Sequence, residues 1–343
     1  MRNIIFIFSL LFAFSLLSCE KEKCPTPQPP IDNPIDSIIP IDSSFGNGLD
    51  SLDDLLDVFY VNSSIGYISG AKGVLYKTTD GGHNFTKLNS GVTVGLCSIW
   101  FTSASTGFTV GDNATILKTT DGGLTWQQKT LGSASFHVRD VYFLNSNRGF
   151  IVSNSGILMV TKDGGNTWQK VTTGITEGLP DGLYAIQFID STTGYVGGKN
   201  GIIIKTIDAG NTWNRQSTPI SGGRNALNDF AFLDAQNGFI CGGDVYGTAN
   251  SFLLKTTNGG GSWTQVSQPA GVSYLTDVEF INANKGYVMG GNVPNNTSTV
   301  LQTNDGGQTW SILSSNTSRL SHADLVDGKI HVVGYNGSYI VLQ

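Results

Sequence analysis

The segment Lys118-Thr-Thr-Asp-Gly-Gly-Leu-Thr-Trp126 decides the fold, because its pattern recurs along the chain. The shared pattern is Thr-x-Asp-x-Gly-x-x-aromatic. Its copies lie at residues 78–85, 119–126, 161–168, 206–213, 256–263 and 303–310. An internal repeat of this kind indicates a repetitive architecture.

Each copy predicts a hairpin corner. The aspartate can accept hydrogen bonds from backbone N–H groups two or three residues further on. The glycines allow the positive φ of a tight reversal, and the flanking threonine and tryptophan favour extended backbone. Because six equivalent corners indicate architecture, we assign the recurring acidic position to structure rather than to catalysis or metal binding. Its residues are Asp80, Asp121, Asp163, Asp208, Asn258 and Asp305.

The residues before each corner predict three further strands. Each repeat begins with an apolar strand, at 55–60, 96–101, 138–143, 183–188, 227–232 and 275–280. A turn, a second strand, a short loop and a third strand follow, and the strand after the corner is the fourth. Four short antiparallel strands in a repeat of this length are typical of a propeller blade. With an incomplete unit from Leu320, the sequence predicts an all-β fold, a seven-bladed β-propeller over residues 46–343.

The unit that begins at Leu320 stops before a corner or a fourth strand. An open ring would leave an unpaired edge, which proteins normally cover. We expect residues 37–43 to supply the missing strand and close the ring. If they do not, the last blade has three strands.

The N-terminal residues predict export and anchoring. Residues 1–18 contain Arg2 and an apolar run at 4–17, which fits a signal peptide and is short for a membrane span. Leu16-Leu-Ser-Cys19 resembles a bacterial lipobox, in which Cys19 would carry the lipid. A plain signal peptide with a chance cysteine is the alternative. Residues 19–45 are rich in proline and predict an extended tether. The expected location is the bacterial cell envelope, at the outer membrane or cell surface.

Composition excludes several classes of function. The net charge is −6 with no basic stripe, which argues against a nucleic-acid surface. The four histidines are scattered and no metal-binding motif is present, so we expect no metal and no cofactor. Cys97 and Cys241 are expected to be free thiols, and the protein is expected to be a monomer.

The repeat resembles a known family. Thr-Thr-Asp-Gly-Gly-x-Thr-Trp, with Phe-x-Asn/Asp-x-x-x-Gly-Tyr/Phe upstream, is similar to the Asp-box, or bacterial neuraminidase repeat, propellers. Within them, residues 55–343 are most similar to the photosystem II assembly/stability factor-like branch. The resemblance implies a propeller fold. It implies a photosynthetic assembly role only for plant and cyanobacterial members, and a lipoprotein of this kind is expected from a bacterium without that complex.

Comparison among the repeats predicts a binding face. The segments at 171–182, 214–226, 242–255 and 290–302 are longer than their counterparts, and all are expected opposite the corners. Extra loop length on one face indicates a binding surface, whereas drift in exposed loops is the alternative. Arginine with aromatic residues suits a carboxylate, a sugar or a peptide. The candidate ligand-binding residues are Arg139, Tyr184, Arg224, Asn228, Asp244 and Tyr246. Asp57, Asp140, Asp229 and Asp277 recur at one position and are assigned to structure.

Two classes of function remain open. The first is a membrane-anchored, non-catalytic module that binds a protein or an extracellular polysaccharide. The alternative is a glycoside hydrolase, because sialidases and some endoglucanases use Asp-box propellers. Hydrolysis needs two carboxylates across the scissile bond, and Glu279 with Glu177 is the candidate catalytic pair, Asp181 or Asp244 being possible partners. The N-terminal Arg-Ile-Pro signature of sialidases is absent from the sequence.

Overall fold

The protein is described from a computed structural model. Contacts divide the chain into two units, Met1–Ile35 and Asp36–Gln343. The structure describes residues 45–129, 131, 136–175, 182–220, 225–244, 251–269, 272–292, 297–316 and 318–343. All of these lie in the second unit. The predicted signal peptide, Cys19 and the closing segment 37–43 lie outside the described residues.

The described residues form 27 β-strands, and two single 3₁₀ turns but no α-helix occur among them. The first three repeats contain β1 Leu55–Tyr60, β2 Gly66–Gly70, β3 Leu75–Thr78, β4 Phe85–Lys87, β5 Leu96–Phe101, β6 Gly107–Gly111, β7 Thr115–Thr119, β8 Gln127–Lys129, β9 Val138–Phe143, β10 Gly149–Ser153, β11 Leu158–Thr161 and β12 Gln169–Lys170. The next three contain β13 Leu183–Phe188, β14 Gly194–Gly198, β15 Ile203–Thr206, β16 Asn214–Gln216, β17 Asn225–Phe232, β18 Gly238–Asp244, β19 Phe252–Thr256, β20 Thr264–Val266, β21 Tyr274–Phe280, β22 Gly286–Asn292, β23 Thr297–Thr303 and β24 Ser311–Asn316. The last three strands are β25 Leu320–Val326, β26 Lys329–Gly334 and β27 Tyr339–Leu342.

The all-β propeller class is confirmed, but the prediction of seven four-stranded blades is wrong. The described strands form five separate blades, four with four strands and one, β25–β27, with three. The remaining strands, β17–β24, form one continuous eight-stranded sheet. This sheet arises because β18 pairs with β21 at a single position, Gly243 opposite Tyr274. A Cβ on Gly243 would lie 3.1 Å from the Tyr274 Cα, so the missing side chain permits this approach.

The first strand of each repeat forms the inner wall. β1 packs on β5, β5 on β9, β9 on β13, β13 on β17, β17 on β21, β21 on β25, and β25 returns to β1. The apolar core lies between neighbouring repeats. One cluster, for example, joins Phe108 of β6 to Val138 of β9 and Ile151 of β10. Burial of these side chains against the next repeat is the main source of stability.

The corners have the hydrogen bonds that the repeat suggests. In the second repeat the Thr119 hydroxyl donates to Asp121 Oδ1 at 2.8 Å and accepts from the Gly123 N–H at 2.9 Å. The Thr125 N–H donates to the same Asp121 oxygen at 2.9 Å. Asn258 fits because its Oδ1 accepts from the Ser262 N–H at 2.9 Å while its amide donates to the Ser262 hydroxyl at 3.0 Å.

Backbone hydrogen bonds show which segments share a face. The corner N–H of Gly122 donates to Ser105, in the turn between the first two strands, at 2.8 Å. On the opposite side, Lys199 lies directly after the second strand of its repeat. Its N–H donates at 2.7 Å to the carbonyl of Gly182, in the link before the first strand. The corners therefore lie opposite the loops that join the second and third strands.

The junction between the first and last repeats is closed by side chains and by the chain before β1. The Tyr60 and Tyr339 hydroxyls share a hydrogen bond of 2.7 Å, and Asp324 of β25 accepts from the Tyr60 N–H. Residue Asn47 pairs with Asn84 in a parallel bridge beside the first corner. Among the described residues, no helix is long and apolar enough to cross a membrane.

Candidate functional site

The inner strands carry three layers of side chains toward the central channel. We number their positions from the buried apolar residue at 55, 96, 138, 183, 227, 275 and 320. In all seven of these strands the pairing register shifts between positions 1 and 3, for example between Leu55 and Asp57. Such a bulge leaves the residue at position 2 without a cross-strand partner and redirects its side chain. Position 2 therefore faces the channel mouth.

The mouth cavity is the space formed at position 2, with a volume of ≈ 200 Å³. Arg139, Tyr184 and Asn228 line it together, as predicted candidates on three consecutive inner strands. The Arg139 guanidinium lies 5.7 Å from the centre of the Tyr184 ring. Asn228 is fixed by donating to the Leu275 carbonyl at 2.6 Å and accepting from the Tyr274 hydroxyl at 3.1 Å.

Three further residues of the mouth cavity were missed. Arg319 lies 5.5 Å from the centre of the Tyr274 ring and 5.3 Å from that of Tyr335. Arg319 and Tyr274 precede position 1 of their strands, and Tyr335 follows the second strand of the last repeat. None of the three lies at position 2 or in one of the lengthened loops, so the repeat pattern does not single them out. Each of them lies at or directly next to the end of an inner or second strand that meets the loops opposite the corners. This position is the sequence signal that could have identified them.

The other sequence candidates do not join this cavity. Asp244 ends β18, is 7% exposed and does not line the mouth cavity. Arg224, Tyr246, Glu177 and Asp181 lie outside the described residues. The roles proposed for these four residues remain predictions. Glu279 lines a second cavity.

A carboxylate layer lies below the mouth at position 3. Its acids accept a backbone N–H from the next inner strand, which couples neighbouring repeats. These bonds are Ile99 N–H to Asp57 at 2.7 Å, Ile186 N–H to Asp140 at 2.9 Å, Val278 N–H to Asp229 at 3.0 Å and Ala323 N–H to Asp277 at 3.0 Å. Such bonds satisfy buried polar groups and fit the structural assignment of these residues.

His322 takes position 3 in the last repeat and lies among these acids. Its Nδ1 is 2.9 Å from Asp57 Oδ1, and its Nε2 is 3.4 Å from Asp277 Oδ2. The imidazole is 38% exposed although protein surrounds it, because it borders two cavities. Burial opposes its charged form, but Asp57 and Asp277 outweigh that effect and hold the pKa of His322 well above its usual value. Burial raises the pKa of Asp277 to about 6, against the pull of His322.

The inner cavity lies below the carboxylate layer, with a volume of ≈ 310 Å³. It is lined at position 5 by aromatic side chains on one side and by Glu279 and Asp324 on the other. Burial raises the pKa of Asp324 to about 7. The pKa of Glu279 is raised well above its usual value. Burial is the largest cause, and the neighbouring carboxylates Asp277, Asp229 and Asp324 add to it. Among the described residues, no group of histidine, cysteine and carboxylate side chains could hold a metal ion.

The architecture and the site define a β-propeller built from Asp-Gly-Gly corner repeats, with a polar channel mouth. The family profile described as Photosynthesis system II assembly factor YCF48 matches residues 84–182 and 175–272, more than half of the chain. The chain belongs to this family, which confirms the predicted resemblance to the photosystem II assembly/stability factor-like branch. No curated protein sequence matches the chain.

Solved structures share the fold. The structure titled "YCF48 bound to D1 peptide" has a TM-score of 0.67 and 18% identity, covering 86% of this chain and 92% of that chain. YCF48 from Cyanidioschyzon merolae has a TM-score of 0.66 and 17% identity, covering 85% of this chain and 96% of that one. The GH74 xyloglucanase from Xanthomonas campestris has a TM-score of 0.60 and 13% identity, covering 86% of this chain and 54% of that chain. At such identities the similarity concerns the fold alone.

Proposed function

We propose that this protein is a membrane-anchored, non-catalytic propeller that binds an acidic protein segment at the mouth cavity. The observation that carries the proposal is the pair of guanidinium groups, Arg139 and Arg319, which face one cavity beside tyrosine rings. Neither forms an ion pair with a carboxylate in the described part of the chain. Arginine binds carboxylates through paired N–H donors, so a peptide carboxylate is the ligand group that fits.

Family membership supports a protein ligand over a polysaccharide. A related propeller, YCF48, has been solved with a D1 peptide bound. The tyrosines add rigid surfaces on which a peptide backbone or side chain can pack. We do not propose the photosynthetic partner for this chain. The residues of the mouth cavity support the binding of a peptide carboxylate and do not specify which protein carries it.

Binding of acidic peptides tests this proposal. The chain should prefer short peptides with a free carboxylate over their amidated or Asn/Gln counterparts. Replacing Arg139 and Arg319 together by alanine should weaken binding about tenfold to a hundredfold, since hydrogen bonds to charged groups are among the stronger ones. Fluorescence anisotropy measures the affinity. Arg215→Ala, on the exposed strand β16, is the matched control and should bind like the parent.

Equal binding by the double variant and the parent would refute the mouth cavity as the site. Selective capture of an acidic polysaccharide, with no peptide preference, would instead support the polymer alternative. Hydrolysis of a glycoside that is abolished by Glu279→Gln would refute the non-catalytic part of the proposal.

Membrane anchoring through Cys19 is part of the same proposal and is supported by the lipobox-like sequence. Two or more acyl chains would hold the protein firmly, because each buried methylene contributes about 0.8 kcal/mol. Cells expressing the chain should incorporate an alkyne-labelled fatty acid into it. Cys19→Ala should abolish the label and release the protein from the membrane fraction, whereas Cys24→Ala should not. Labelling that persists in Cys19→Ala would contradict the anchor site.

A further inference from the structure

The inner cavity is lined by aromatic and acidic side chains that have no part in the proposed function. Its wall at position 5 carries Phe59, Trp100 and Tyr142 on three consecutive inner strands. Gln187 follows, and the wall ends with Glu279 and Asp324. One side is therefore aromatic and the other side is acidic, with Gln187 and the small Ala231 between Tyr142 and Glu279.

The aromatic side is a continuous arc. The ring centres of Phe59 and Trp100 are 4.8 Å apart, and those of Trp100 and Tyr142 are 4.5 Å apart. The arc continues to Phe188, whose ring centre is 5.5 Å from that of Tyr142. Aromatic rings attract ammonium groups, and tryptophan does so most strongly.

The cavity wall has acceptors that no protein donor satisfies. Glu279 forms no hydrogen bond or ion pair within the described ranges, although it borders the cavity. Gln187 Oε1 is a buried acceptor without a partner. Unsatisfied buried acceptors are costly, and they point to a ligand that donates hydrogen bonds.

The charges around the cavity are unbalanced. The acids that face it, or face the layer above it, come from five inner strands and are Asp57, Asp140, Asp229, Asp277, Glu279 and Asp324. The position 3 and position 5 residues of the other two inner strands, including Ser98 and Gln187, carry no charge. His322 is the one basic side chain of the described residues that lines the cavity. A second cation would relieve this repulsion.

We propose that the inner cavity binds an organic ammonium group, such as a short alkylamine or the end of a lysine side chain. Glu279 and Asp324 would pair with the charge, Gln187 would accept an N–H, and the aromatic arc would contact the methylenes and the cation. The site is distinct from the mouth cavity and takes the opposite charge, so it goes beyond the proposed function.

Titration calorimetry on the full chain tests the site with n-butylammonium as the probe and n-butanol as its uncharged match. A capped lysine peptide and a capped norleucine peptide distinguish a side-chain source from a free amine. Butylammonium should bind at least about tenfold more tightly than butanol, because charge and cation–π attraction both favour it. Burial raises the pKa of Asp324 to about 7 and that of Glu279 well above its usual value, so binding should tighten as the pH rises from 6 to 8 and these carboxyls ionise.

Variants locate the binding. Glu279→Gln should weaken butylammonium binding about tenfold, and Trp100→Leu should weaken it several-fold while leaving the acids in place. Asp327→Asn, in an exposed turn at φ 51°, is the matched acid control and should leave the affinity unchanged. Arg139→Ala should also leave it unchanged, which separates this site from the mouth cavity.

Equal affinity for butanol and butylammonium would overturn the proposal, as would the absence of a measurable signal at millimolar amine. Unchanged amine binding in both Glu279→Gln and Trp100→Leu would overturn it as well. If Glu279→Gln fails to fold, Asp324→Asn takes its place, because an asparagine oxygen can still accept from the Tyr60 N–H.

Discussion

Replacing Gly165 by alanine is expected to lower the free energy of unfolding by about 3 kcal/mol. Gly165 is the second glycine of the third corner and has φ +76°. An added Cβ would lie 2.3 Å from Cε1 of Phe108, in the preceding repeat. Phe108 is wholly buried and stacks on Phe143 with ring centres 4.2 Å apart, so it cannot move aside cheaply.

Gly328→Ala provides the control for this experiment. Gly328 has φ +73°, and nothing lies within 4 Å of a Cβ added there. It therefore reports the cost of the backbone conformation alone, about 1 kcal/mol. Denaturant unfolding of both variants measures the difference. Equal losses for Gly165→Ala and Gly328→Ala would show that contact with Phe108 does not matter.

The expected difference reflects a role of the corner that extends beyond its own hairpin. The glycine two residues after the corner Asp also meets an aromatic ring of the preceding repeat in other corners, with added-Cβ distances of 2.5 Å for Gly210 to Phe150 and 2.3 Å for Gly307 to Phe239. The corner carbonyls also accept from the preceding repeat, as Gly122 does from Tyr67 at 3.0 Å and Lys77 at 2.8 Å. The corner is thus a joint between repeats as well as a turn.

This joint shows which parts of the fold the sequence could predict. The reversal at Asp121-Gly-Gly depends on neighbours in the chain, so its pattern is readable from one repeat. The contact of Gly165 with Phe108 depends on packing between repeats, and nothing local specifies it. The predicted number of separate blades was wrong for a similar reason. The pairing of Gly243 with Tyr274 joins two repeats into one sheet through a tertiary approach.

The residues of the candidate site also fall into those that the sequence predicts and those that only the folded chain reveals. Arg139, Tyr184 and Asn228 could be predicted because they break the repeat at a position that the bulge turns toward the channel. Arg319 was missed because it flanks the strand rather than lying at the compared position. The side chains of the inner cavity vary from repeat to repeat at position 5. Only the closed ring of inner strands brings the aromatic residues and Glu279 around one space.

The second large effect concerns pH. The corner acids have lowered pKa values, about 2 for Asp121 through hydrogen bonds from Thr125 and Thr119. A lowered folded pKa gives stability that is present above the unfolded value, near 4, and is lost as the pH falls toward 2. Burial lowers the pKa of His331 to about 4, so this group adds stability as the pH rises from 4 to about 6.5.

The channel groups act in the opposite direction, and they dominate above pH 4 because the corner acids are already ionised there in both the folded and the unfolded chain. Burial raises the pKa of Asp277 to about 6 and that of Asp324 to about 7, and it also raises those of Asp140, Asp229 and Glu279. Above pH 4 the folded chain then binds more protons than the unfolded chain, so stability falls as the pH rises. His322, with its raised pKa, adds stability that is complete below about pH 6.5 and is lost at higher pH.

We therefore expect the melting temperature to be highest at about pH 4–5 and to fall by several degrees toward pH 8, below the range where most proteins are most stable. Asp324→Asn removes one raised carboxyl while keeping an acceptor for the Tyr60 N–H. It should stabilise the protein at pH 8 by about 1–2 kcal/mol, a value discounted because water reaches the channel, and have little effect at pH 5. Thermal unfolding of the parent, Asp324→Asn and the exposed control Asp327→Asn across this range measures the effect. A parent chain that is more stable at pH 8 than at pH 5, or an Asp324→Asn chain that is weaker than the parent at pH 8, would show that the channel carboxyls ionise without penalty.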